Sequence, residues 1–144
     1  MTAVRESIFA AIEARLAAIT SPVVREVERM PAGDPTELPA LFIFDQGDTA
    51  AIDEEETDTM AFVMSVGIDG FVAGDAPHTA ANALYAAVIE TLFTQPVLGG
   101  LATQIRIERL NMAVAERAKD HRLGFGLELA IHYHTRFGEP QQPA

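Results

Sequence analysis

His132 and His134 stand two residues apart near the end of the sequence, with Glu128 four residues before the first of them. Imidazole and carboxylate are side chains that hold first-row metals, and on a strand positions 128, 132 and 134 point to one face. Such sites gather three or four converging ligands, however, and two histidines beside one carboxylate near a chain end more often line a solvated sheet face. The pattern predicts neither a metal nor a cofactor.

Gly126, His132, His134 and Glu139 also match the first metal-binding motif of cupins, but a cupin carries a second histidine motif on later strands and this sequence ends at Ala144. The match stands alone. The acids Asp45, Asp48, Asp53, Glu54, Glu55, Glu56 and Asp58 could collect calcium, yet they lack the alternating oxygen spacing and the glycine of an EF-hand loop. Solvation is the simpler expectation, with room for a weak divalent-cation effect where subunits bring these acids together. No Ser or Lys lies in a nucleophile motif and no P-loop occurs, while Gly67, Gly70 and Gly74 do not open a helix as a dinucleotide fingerprint would. No catalytic residue is predicted, and the chain is not expected to be an enzyme.

Charge narrows the partners. The 144 residues carry a net charge of −11, and no Lys or Arg occurs between Arg29 and Arg106. A surface built from that block repels phosphates, because nucleic-acid binding depends on Lys and Arg displacing counterions. Tight nucleic-acid binding is not expected. The absence of cysteine leaves no disulfide framework and no thiolate metal site. Arg5, Glu6, Glu13 and Arg15 interrupt the apolar residues of the first twenty, so neither a signal-peptide core nor a membrane span is predicted there.

The elements that must carry these residues follow from periodicity. Val4, Ile8, Ile12, Leu16 and Ile19 recur at helical spacing, giving an amphipathic first helix that Ser21-Pro22 stops. Val23 to Arg29 alternates as a half-exposed strand, Pro31 to Pro39 reads as a loop, and Ala40 to Phe44 as a short buried strand. Residues Asp45 to Asp58 read as a solvated acidic loop. Met60, Phe62, Met64, Val66 and Ile68 then alternate through a long strand with one buried face. Asp75 before Ala76-Pro77 is the predicted start of a second helix running to Phe93. Two strands, Leu101 to Met112 and Arg122 to Arg136, form a hairpin joined by the polar stretch Glu116 to His121. The expectation is a single α+β domain over residues 1–138, with an antiparallel or mixed sheet of about five strands flanked by two main helices in the order α-β-β-β-α-β-β, and a flexible tail over 139–144.

The second helix is apolar around most of its circumference. Leu84, Val88 and Leu92 line one side and Tyr85, Ile89 and Phe93 an adjacent one. One sheet cannot cover both, so the second side awaits the first helix, a loop or another subunit. Tyr85, Ile89 and Phe93 are the candidate subunit interface.

In order and pattern the chain resembles the phage minor tail protein U and tail-terminator group, also called tail completion proteins. The residues that carry the likeness are the opening helix, Leu38-Pro39-Ala40-Leu41-Phe42-Ile43 before the acidic Asp45, the Met60 to Val72 strand, the Asn82 to Phe93 helix, and the closing Leu127 to Arg136 strand ending in Gly138-Glu139-Pro140. The resemblance implies a self-assembling ring, typically a hexamer, that caps the head-proximal end of the tail tube, stops its polymerisation and joins a head-tail connector protein. It implies a virion protein made in the host cytoplasm, with the tube protein and the connector as partners. The acidic block would then give a lumen that DNA passes without sticking. Two alternatives share the composition: another head-tail connector or neck protein, and a small metal- or ligand-binding dimer that uses Glu128, His132 and His134.

Overall fold

The structure is a computed structural model that describes residues 2–51, 58–112 and 122–144. Helix α1 (Val4–Ala17) is followed by β1 (Glu26–Arg29), β2 (Ala40–Ala51), β3 (Thr59–Val72), α2 (Pro77–Leu92), β4 (Gln104–Met112), β5 (Arg122–Arg136) and β6 (Glu139–Pro143). The fold is α+β, and the expected order α-β-β-β-α-β-β is the order found, with β6 added.

The strands lie in the sheet order β1-β2-β3-β5-β4, with β6 paired to β5. The sheet is mixed because β1 runs parallel to β2, whereas every other pairing is antiparallel. Alternation along β3 and β5 sorts the side chains by face. Met64, Val66 and Ile68 of β3 meet Leu127, Leu129 and Ile131 of β5 in one core with Ile8, Ile12 and Leu16 of α1 and Leu84, Val88 and Leu92 of α2. Both helices thus cover the same sheet face. Arg15, in the last turn of α1, donates from Nη1 to the Thr91 carbonyl at 3.1 Å, tying the two helices together where α2 leaves its carbonyls unpaired.

Three local expectations differ from what forms. Strand β2 does not stop at Phe44; it continues to Ala51, pairing through Ala51 and Ala61 with β3. The backbone ladder overrides the missing apolar period, since these residues are mostly exposed and need no buried face. Helix α2 is capped at Ala76 without a side-chain hydrogen bond, and Pro77 at its first turn pre-sets the helical φ, so Asp75 lies one residue too early to cap it. Residues from Glu139, expected as a tail, form β6 after the turn at Phe137-Gly138, where Gly138 takes φ 70°. The hairpin connection Glu116 to His121 lies outside the described residues.

Gly70 shows how tightly the core side of β3 is packed. A Cβ on it would lie 2.1 Å from Phe125 Cε2, and Phe125 is fully buried. Gly70→Ala is expected to cost about 2 kcal/mol through overpacking, read as a lowered urea midpoint with an unchanged slope.

Candidate interaction site

The most connected polar cluster among the described residues grows from an irregularity in β2. Asp45 lies opposite Val66 and Asp48 opposite Met64, so β2 advances three residues while β3 advances two. In a regular strand positions 45 and 48 would face opposite sides. The bulge, with Gly47 at φ 91°, turns both carboxylates to the helix-covered face. Gly47 N–H donates to Asp45 Oδ1 at 3.0 Å, fixing the carboxylate from its own turn.

Arg5, in the first turn of α1, reaches into this pair. Its Nη1 and Nη2 donate to Asp45 at 2.9 Å each, and its Nη2 and Nε to Asp48 at 2.9 and 3.2 Å. The guanidinium lies 5.6 Å from the Phe9 ring centroid. From β5 the Tyr133 hydroxyl donates to Asp48, and its ring stacks on Phe62 with centroids 5.2 Å apart. Two clefts flank Arg5. One of about 320 Å³ is walled largely by Met60, Phe62, Tyr133 and Pro140, the other, of about 360 Å³, by Phe9, Met30 and Ile43.

Three of these groups are held in one protonation state. Hydrogen bonds from Arg5 keep the Asp45 carboxyl below its usual range despite partial burial. Burial and then the Asp48 carboxylate push the Tyr133 phenol well above its usual value, while hydrogen bonds to Asp48 and Asp45 raise that of Arg5. A carboxylate already taken up by an arginine is a poor base, and a phenol held neutral is a poor nucleophile. The cluster is a clamp joining α1, β2 and β5, not a reaction centre.

The residues singled out from sequence are placed as follows. Glu128, His132 and His134 share the outer sheet face, opposite Gly67, Val63 and Ala61 of β3. Among the described residues no three His, Asp or Glu side chains converge as metal ligands would. Tyr85, Ile89 and Phe93 are half-buried and packed against the core cluster, Tyr85 edge-on to Phe125 with centroids 6.0 Å apart. The strongly exposed large apolar residues lie elsewhere: Val23 and Met30 flank β1, Ile107 and Met112 lie on β4, and Phe137 sits at the β5–β6 turn. Sequence reasoning did not find the Arg5 clamp, because Asp45 and Asp48 were absorbed into a run of acids. The glycine between two acids directly after an apolar strand was the available signal of a bulge.

No protein-family model matches the chain, and no curated protein matches it. Among solved structures the chain is similar to the bacteriophage SPP1 gp17 protein, at 17% sequence identity and a TM-score of 0.47, with 88% of each chain covered. No helix among the described residues is long and apolar enough to cross a membrane.

Proposed function

We propose that this chain is a structural subunit of a phage or phage-like particle, a tail terminator that assembles into a ring, of six copies by resemblance, at the head-proximal end of the tail tube. Its partners would be its own copies, the tube protein and a head-tail connector protein. The observation that carries this reading is the distribution of apolar surface. Met30 at the end of β1 is 60% exposed, and Ile107 and Met112 on β4 are 41% and 37% exposed, at the two opposite ends of the strand order. Two different sticky edges on one subunit favour head-to-tail contacts, which close into rings when the rotation allows. The resemblance drawn from the order of helices and strands points to the same kind of assembly.

Mass in solution tests the reading. Light scattering behind a sizing column across concentration, with and without millimolar magnesium, followed by negative-stain imaging, is expected to give ring-shaped particles of about six subunits. A strict monomer or dimer in every condition counts against self-assembly into a ring. Replacing Ile89 with Asp asks whether α2 takes part: as an interface residue it should weaken assembly by about tenfold or more while the monomer still melts cooperatively. Loss of the folded monomer instead assigns Ile89 to the core against which it packs.

A further inference from the structure

We infer that neighbouring copies meet edge to edge, the β4 edge of one copy against the β1 edge of the next, with Arg109 of the first facing Glu28 of the second. This rests on the ring reading above and names the contact that would build it.

The topology supplies the directions. β1 runs parallel to β2, and the three steps from β2 through β3 and β5 to β4 are each antiparallel, so β1 and β4 run in opposite senses at the two sheet ends. A second copy placed beside β4 in the same orientation therefore presents β1 antiparallel to it. The register supplies the match. Glu28, Phe42, Asp69, Gly126 and Asn111 form one cross-strand row over the whole width of the sheet. Continuing that row into the next copy sets its Glu28 beside Asn111, two positions along β4 from Arg109, within the diagonal reach of a long side chain.

The same face carries the charges. Arg106 and Arg109 lie opposite Ala130 and Glu128, and Glu28 opposite Phe42, all on the side of the sheet away from the helices. Glu28, Arg106 and Arg109 are exposed and have no ion-pair partner among the described residues. Arg29, the neighbour of Glu28, is by contrast committed to Glu6 and Glu13 of α1 at 2.8 and 3.1 Å. On the outer face the β1 edge thus presents Glu28, and the β4 edge Arg106 and Arg109. Met30, Ile107 and Met112 add apolar surface at the same two edges, and Met30 holds its exposed position with φ 47°, a left-handed conformation that costs an unbranched residue roughly 1 kcal/mol. Charge complementarity of this sort selects partner and register.

Charge exchange is the test. Sedimentation velocity across concentration would be run on the wild-type chain, Arg109→Glu, Glu28→Arg and the double variant, with Arg136→Glu at the far end of β5 as a control of equal charge change. Each single variant is expected to raise the midpoint concentration of assembly about 10-fold or more, the double variant to restore it to within about threefold, and the control to leave it unchanged. Rescue by the double variant cannot come from a misfolded chain. Wild-type assembly that Arg109→Glu leaves intact overturns the edge contact while the ring reading stands. A wild-type chain that never assembles overturns both.

Discussion

Phe125→Ala is expected to be the most damaging single truncation in this chain, lowering folding stability by about 4 kcal/mol. The ring is fully buried and fills the space that Gly70, lacking a side chain, leaves on the neighbouring strand. It also supports α2 from below through the edge-on contact with Tyr85. Truncation removes the apolar transfer term, opens a cavity where β3 cannot close in, and deletes an aromatic pair worth about 1 kcal/mol beyond its area. Urea unfolding followed by circular dichroism reads the loss as a shift in midpoint at constant slope. A cost below about 1 kcal/mol would mean that α2 settles onto β5 without the ring, and that Gly70 is small for another reason.

The same pair bears on the candidate interface. Tyr85 is half-buried and already has a partner in its own chain, so Tyr85→Ala separates two roles that helical periodicity cannot. As a core residue its loss lowers stability alone. As a ring contact its loss lowers assembly more.

The fold was legible wherever one face of an element is buried and periodicity could record it. Val4, Ile8, Ile12 and Leu16 marked α1, Met64, Val66 and Ile68 marked β3, and Leu84, Val88 and Leu92 marked the covered side of α2, all nearly or completely buried. Legibility failed where the backbone, not the side chains, sets the structure. Residues 45–51 belong to β2 because their backbone pairs with β3, and the bulge at Gly47 breaks the very alternation that would have announced a strand. Strand β6 hides for a similar reason: Glu139 to Pro143 is exposed along most of its length and carries two prolines, so no apolar alternation announces it. The Arg5 clamp joins positions 5, 45, 48 and 133, and contacts so far apart in sequence leave no spacing to read.

That clamp also revises the picture of the acidic block. Asp45 and Asp48 are not free acids on a solvated loop, since Arg5 neutralises one and shares the other with Tyr133. The charge available to repel DNA from a ring lumen would have to come from other acids. The clamp instead sets the entry of α1 onto the sheet, next to the end of β1 where Met30 is exposed. Its integrity is therefore expected to matter for the β1 edge as well as for the fold.

Arg5→Met should cost about 2 kcal/mol at pH 7, between the values for exposed and for buried ion pairs, because the Arg5 side chain keeps 37% exposure and solvent screens it. The methionine preserves much of the packing on Phe9 but leaves Asp45 and Asp48 facing each other without a cation. In the wild-type chain the Asp45 carboxyl is held below its ordinary value, so its contribution is complete above about pH 4 and is lost only as pH falls through the lower, folded value. In the variant the order reverses. Two carboxylates in one partly buried site raise each other's pKa, the folded chain takes up a proton, and stability rises as pH falls from 7 toward 4. Tyr133 stays protonated throughout this window, because burial and Asp48 push its pKa up, so the phenol contributes no slope of its own. Denaturant midpoints at pH 7 and pH 4.5 should show the gap between wild type and variant shrinking to about half or less. A gap that stays constant with pH would place the value of Arg5 in its packing against Phe9 and not in its charge, and the β2 bulge would then need another reason to present two acids to one side.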